Sequence, residues 1–132
     1  MPALVFDFGN RFIGIAVAEV VSGTTSPLKT IHAKKGIPNW EELDDLIRKW
    51  DPTELVVGLP INMDDSESGM SIASRKFGAR LHQRYKLKIG YTDERLSTFE
   101  ARNRSGCSRP DHALAAAIIA ETWLRANNRR LS

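Results

Sequence analysis

Apolar positions crowd into two runs near the N-terminus, Leu4-Val5-Phe6-Asp7-Phe8-Gly9 and Phe12-Ile13-Gly14-Ile15-Ala16-Val17-Ala18. Both are rich in β-branched and aromatic residues, and only Gly9-Asn10-Arg11 separates them. They predict two strands joined by a tight hairpin. A more polar run over 27–33 predicts a third strand nearer an edge, which makes an antiparallel meander. The period then changes. Trp40, Leu43, Leu46, Ile47 and Trp50 recur at helical spacing. Asn39 is a good N-cap with Glu42 three residues on, Arg48 and Lys49 suit the last turn, and Asp51-Pro52 ends the helix.

Residues 54–60 read as a short buried strand closed by Pro60, followed by a polar loop over 62–69. Met70, Ala73, Phe77 and Leu81 line one face of a second helix, and Arg75, Lys76, Arg80 and Arg84 supply much of the rest. Leu87, Ile89 and Tyr91 alternate with Lys88, Gly90 and Thr92, a strand ending at Asp93-Glu94. A short helix over 98–102, a loop rich in Arg, Ser and Gly, and a final helix over 110–126 complete the chain. This order predicts an α/β fold. Its five-stranded mixed sheet has strands one to three antiparallel, strands four and five parallel, and helices on its faces.

Composition adds little to this and excludes some classes. A chain of 132 residues predicts one domain over 1–132, with a basic C-terminal tail from 125. No N-terminal signal pattern is present, and the longest apolar run, 113–120, is too short to cross a bilayer. A single cysteine, Cys107, excludes an internal disulfide and fits a reducing, cytoplasmic setting; it is given no role. The net charge of +3 hides an asymmetry. Residues 1–66 carry 6 basic against 10 acidic side chains, whereas 67–132 carry 13 against 6. A basic second half points to a polyanionic partner, or simply to solvated helix faces.

The candidate chemistry begins with Asp7. A lone carboxylate inside an apolar strand is costly unless a metal, a cation or backbone N–H groups compensate it. In α/β sheets the working site lies beyond the C-terminal strand ends, and there Asp7 meets Asn62 after the fourth strand and Glu94 after the fifth. Carboxylates gathered from separate elements suit Mg²⁺ or Mn²⁺, and a pair of such ions about 4 Å apart serves phosphodiester cleavage. The plainer readings are a hairpin cap or an Arg11 pair for Asp7, and a surface pair with Arg95 for Glu94.

Four stretches together resemble the YqgF family: Phe6-Asp7-Phe8-Gly9-Asn10, Ile13-Gly14-Ile15-Ala16-Val17, Val56-Val57-Gly58-Leu59-Pro60-Ile61-Asn62-Met63-Asp64, and Asp93-Glu94-Arg95-Leu96-Ser97-Thr98 followed by Glu100-Ala101. The resemblance runs to about Leu124. It implies a ribonuclease H-like fold and a metal-dependent nuclease maturing the 5′ end of precursor 16S ribosomal RNA, with a Mg²⁺ or Mn²⁺ cofactor. Cleavage of branched DNA junctions is the related alternative. A third possibility is an RNA-binding or ribosome-assembly module that has lost cleavage.

The family pattern has three acids. Two of them fall on Asp7 and Glu94. The third opens the last helix, where this chain reads Asp111-His112-Ala113-Leu114-Ala115-Ala116-Ala117-Ile118-Ile119. Asp111 is the expected ligand through a small shift in helix start; a gapless alignment instead puts His112 there, and a missing third ligand is the remaining reading. One residue matters because it turns a helical side chain by about 100°. Ser108-Arg109-Pro110-Asp111 also has capping-box spacing, which offers Asp111 a purely structural role. The resemblance places Asn62 in the family's loop after the fourth strand, with Arg95 and Thr98 as expected phosphate contacts and nucleic acid and ribosomal particles as expected partners; by their charge Arg75, Arg80 and Arg102 are further candidate phosphate contacts. His32 and His82 read as surface residues. An Asp-x-Gly hairpin also opens the phosphate loop of actin-type and sugar-kinase ATPases, but those need two such domains around the nucleotide.

Overall fold

Strict alternation of buried side chains along the first strands divides the molecule into two cores. The computed structural model describes residues 2–59, 69–93 and 112–131. Strands β1 (Pro2–Asp7) and β2 (Phe12–Glu19) pair antiparallel from Pro2↔Glu19 to Asp7↔Gly14. Their connection is residues 8–11, wider than the tight turn expected. Phe8 turns into the core, and the Asn10 and Arg11 carbonyls accept hydrogen bonds from Gly36 and Ala33. β3 (Thr24–Lys34) completes the meander and is longer than the run over 27–33, because its polar flank also pairs, Thr24 with Glu19 and Thr25 with Ala18.

The strand count corrects the expectation of five. β4 (Ile37–Pro38) folds back on β3 through Ala33↔Pro38 and Lys34↔Ile37, giving six strands in the order β4-β3-β2-β1-β5-β6. Lys35 (φ 51°) and Gly36 (φ 79°) make this turn in the left-handed region. Glycine is needed there twice over, since a Cβ on Gly36 would also lie 2.8 Å from the Phe8 ring. Two residues are too few to leave a periodic signal. The parallel half is as expected: β5 (Glu54–Leu59) lies beside β1, and β6 (Lys88–Asp93) beside β5.

Helix α1 (Trp40–Trp50) is capped by Asn39, whose Oδ1 accepts from the Glu41 and Glu42 N–H groups at 3.1 and 3.4 Å. Asp51, at φ 46°, closes its C-terminus. Helices α2 (Gly69–Tyr85) and α3 (His112–Leu131) take opposite faces of the sheet. On one face Leu4, Phe6, Ile13, Ile15, Leu55 and Val57 pack with Leu43 of α1 and with Phe77 and Leu81 of α2. On the other, Ala3, Val5, Ala18 and Val56 meet Ile119, Ala120, Trp123 and Leu124 of α3, while Ala16 meets Ala116 and Ala117. Small residues on both partners let α3 lie close to the strands. The segment from 125, expected as a basic tail, continues α3 to Leu131. The short helix expected over 98–102 lies outside the described residues.

One ion pair ties the two helices of the first core. Arg84 donates to both Asp44 oxygens at 2.8 and 2.7 Å, and the Tyr85 hydroxyl donates to Asp44 at 2.6 Å. The guanidinium also lies over the Trp40 ring, 5.0 Å from its centre. The Arg84 and Tyr85 hydrogen bonds pull the Asp44 carboxyl from 3.8 down to about 2. A pKa depressed on folding adds stability above the ordinary value and loses it as the pH falls through the folded one. Asp44→Asn is therefore expected to lower the thermal midpoint by a few degrees at neutral pH, with wild type and variant converging as the pH drops from 3.8 towards 2. Parallel curves across that window, in melts followed by circular dichroism, would show the pair contributes nothing.

Candidate active site

Asp7 is the last residue of β1, a strand with neighbours on both sides. Alternation sends Ala3, Val5 and Asp7 to the α3 face, and Asp7 is half-buried there. Its antiparallel partner is Gly14. On the parallel side Phe6 pairs with Val57, so Gly58 comes next beside Asp7, and Gly58 pairs with Thr92 of β6. Gly14, Asp7, Gly58 and Thr92 thus cross the sheet at one level, and β1 and β6 are about 10 Å apart. Asp7 thus has glycine directly across from it on both neighbouring strands.

The start of α3 occupies the Gly14 side of that space. A Cβ on Gly14 would lie 1.9 Å from the His112 carbonyl oxygen and 3.0 Å from the Ala113 nitrogen. The helix backbone therefore rests directly on β2, against the cross-strand neighbour of Asp7. A helix N-terminus carries partial positive charge and suits an adjacent carboxylate. The His112 ring stacks on Phe12, centroids 5.2 Å apart and planes 21° from parallel. Phe12 in turn meets His32 at 5.0 Å. His32 is exposed, as expected of a surface residue, and its ring also extends this aromatic row.

The basic side chains of α2 are exposed, as expected, on the opposite face of the sheet from Asp7. Phe77 packs α2 against Phe6 and Phe8, so Arg75 and Arg80 are exposed on a helix across the sheet from Asp7. The Arg75 guanidinium lies 5.4 Å from the centre of the Tyr91 ring, and the Tyr91 hydroxyl donates to the Arg75 carbonyl at 3.4 Å. Arg84 is held by Asp44. His82 Nδ1 lies 2.9 Å from the Leu87 carbonyl oxygen, across the turn that ends α2. Asn62, Glu94, Arg95, Thr98, Arg102 and Asp111 lie outside the described residues, as does Cys107.

Among the described residues no three histidine, cysteine or acidic side chains converge. Of the acids expected to hold metal, Asp7 is within them, and it fits the part: a hard oxygen donor on a rigid strand end, with glycine on either side. Sequence reasoning missed Gly14 and Phe12. A glycine inside a β-branched strand is itself the signal of a close backbone approach.

Comparison with known proteins gives the family and the fold. The family model described as RuvX, Holliday junction resolvase, matches residues 1–126. A relative from Nitrosococcus oceani, named "Putative pre-16S rRNA nuclease", is 48% identical over 92% of this chain and 84% of its own. One of the same name from Alcanivorax borkumensis is 46% identical over 89% of this chain and 91% of its own. Among solved structures, T. thermophilus RuvC in complex with Holliday junction substrate superposes with a TM-score of 0.59 at 14% identity, covering 100% of this chain and 96% of that one. The fowlpox virus Holliday junction resolvase gives 0.53 at 12% identity, covering 96% of this chain and 99% of that one. These two share the fold. A match over nearly the full length, joined to relatives close to half identical, places the chain in the RuvX (YqgF) family of nucleases.

Proposed function

We propose that this chain is a metal-dependent endonuclease acting on structured nucleic acid, and that its substrate is precursor 16S ribosomal RNA. The observation that carries the reading is the seating of the α3 start against Gly14, the strand partner of Asp7. It sets the start of α3 against the strand partner of Asp7, which supports the reading. Asp7, Glu94 and Asp111 hold Mg²⁺ or Mn²⁺ in this reading. Such an ion, held by these carboxylates, would activate a water and stabilise the leaving oxygen. Asp7 fixes one donor on a strand that cannot swing, and the α3 backbone closes the Gly14 side. Asn62, Arg95, Thr98 and Arg102 contact the phosphates on either side of the scissile bond.

The second reading is cleavage of four-way DNA junctions. It draws on the family description and on the fold shared with RuvC. One assay separates them. Precursor 16S RNA and a synthetic four-way junction are incubated with the protein in Mg²⁺, Mn²⁺ or chelator. The expected result is cutting of the RNA that chelator abolishes. Cutting of the junction alone would favour the second reading, and cutting of neither would overturn both.

The basic face of α2 makes a separate prediction. Arg75 and Arg80 are exposed there. As phosphate contacts they would release counterions on binding, and each one lost reduces the slope of log affinity against log salt by about 0.7–0.9. The double variant Arg75→Ala, Arg80→Ala is expected to weaken RNA binding equally for all sequences and to flatten that slope. Fluorescence anisotropy across a salt series reads it directly. An unchanged slope would remove these two residues from the interface.

A further inference from the structure

The first turn of α3 is held at two points, and both bear on Asp7. One is backbone on backbone. Any side chain at Gly14 would run into the His112 carbonyl, with oxygen at 1.9 Å and carbon at 2.3 Å from a Cβ. Main-chain atoms cannot rotate away as the tip of a flexible side chain can. The other is ring on ring. His112 stacks on Phe12, which shares a face of β2 with Gly14 and is itself flanked by His32. Further along, Ala16 against Ala116 and Ala117 continues the same close packing. Asp111 is one peptide unit, about 3.8 Å between Cα atoms, from a residue pinned in this way. Asp7 is the register partner of the glycine that does the pinning.

We propose that Gly14, Phe12 and His112 form a seat that fixes the start of α3 relative to Asp7, and that His112 is a positioning residue acting through its ring rather than a metal ligand. The proposal rests on the nuclease reading above. It goes beyond that reading by assigning work to three residues outside the acid set, and by giving the histidine beside Asp111 a positioning role in place of a ligand's. Its energetic basis is geometric. Displacing a catalytic group by about 1 Å can cost a hundredfold in rate. A seat on main-chain atoms and a stacked ring holds the helix start more tightly than solvent-exposed contacts could.

The test compares His112→Ala, His112→Phe and Gly14→Ala in the full chain. Each is read by kcat and KM on precursor 16S RNA, by Mn²⁺ affinity from calorimetry without RNA, and by circular dichroism. His112→Ala loses the stack, and kcat is expected to fall about tenfold to a hundredfold with KM unchanged. His112→Phe keeps a ring against Phe12 but has no donor nitrogen, and is expected to recover most of that loss and to bind Mn²⁺ as wild type does. Gly14→Ala is expected to weaken Mn²⁺ binding and lower kcat at least as far as His112→Ala. Should Gly14→Ala fail to fold, the two His112 variants decide alone. His112→Phe as impaired as His112→Ala, or with weakened Mn²⁺ binding, would make His112 a ligand and overturn the seat. So would His112→Ala with wild-type kcat. A wild-type protein that neither cuts nor binds Mn²⁺ would overturn the nuclease reading, and the seat's part in it.

Discussion

Replacing Asp7 by asparagine is expected to abolish most cleavage while leaving the fold intact. The two side chains have nearly the same volume, and Asp7 ends its strand half-buried, so the change removes a charge without opening a cavity. Stability should move by about 1 kcal/mol or less. The rate loss is expected to be far larger, because the lost charge is the one proposed to hold the ion where charge develops. Removing a single pre-organised electrostatic contact typically costs a factor on the order of 10²–10³, or about 3–4 kcal/mol. Binding of RNA without metal should hold or tighten, since a carboxylate next to a phosphate repels it. Single-turnover cleavage and anisotropy on the same RNA separate the two effects. Cleavage by Asp7→Asn at the wild-type rate would dismiss Asp7 as a ligand, as wild-type cleavage by Glu94→Gln would dismiss Glu94.

Asp7 was legible in the sequence because its cost is local: one carboxylate within an apolar run needs a compensating group wherever the strand goes. The hairpin, α1 and the parallel strands were legible for the same kind of reason. Period and caps are written within a few residues, as in Asn39 with its two accepted N–H bonds. β4 was not, since two residues after a Lys35-Gly36 turn have no period. Nor was the full length of β3, whose outer residues are too polar to read as strand although they pair with β2. The helical wheel shows that Arg75 and Arg80 are exposed, but not which face of the sheet α2 covers. That depends on Phe77 finding Phe6 and Phe8 across the chain. The contact of His112 with Gly14 is beyond any local reading for the same reason. Only the tertiary pairing shows what backbone Gly14 lies against, and only the tertiary structure shows that the His112 ring stacks on Phe12.

Phe77→Ala is expected to be among the most destabilising substitutions in the chain, and its effect should reach the active site. Phe77 is 1% exposed and meets Phe6 edge-on at 5.7 Å and Phe8 at 5.0 Å. Truncating a buried phenylalanine to alanine costs about 3–5 kcal/mol. For a chain of this size that is a fall of roughly 10–20 °C in midpoint. Phe77→Leu keeps most of the volume and should cost about 1–2 kcal/mol. Val21→Ser should cost nothing measurable, since Val21 is 91% exposed. Phe6 and Phe8 are the chain neighbours of Asp7, so one ring beneath the sheet grips the backbone on both sides of the proposed ligand. Loosening that grip should lower kcat by more than the unfolded fraction accounts for, even well below the midpoint. Urea melts give the stability, and cleavage rates corrected for the folded fraction give the rest. A midpoint within a few degrees of wild type would mean that α2 is not packed as described. A large stability loss with a full corrected rate would mean that Asp7 is held from the α3 side alone.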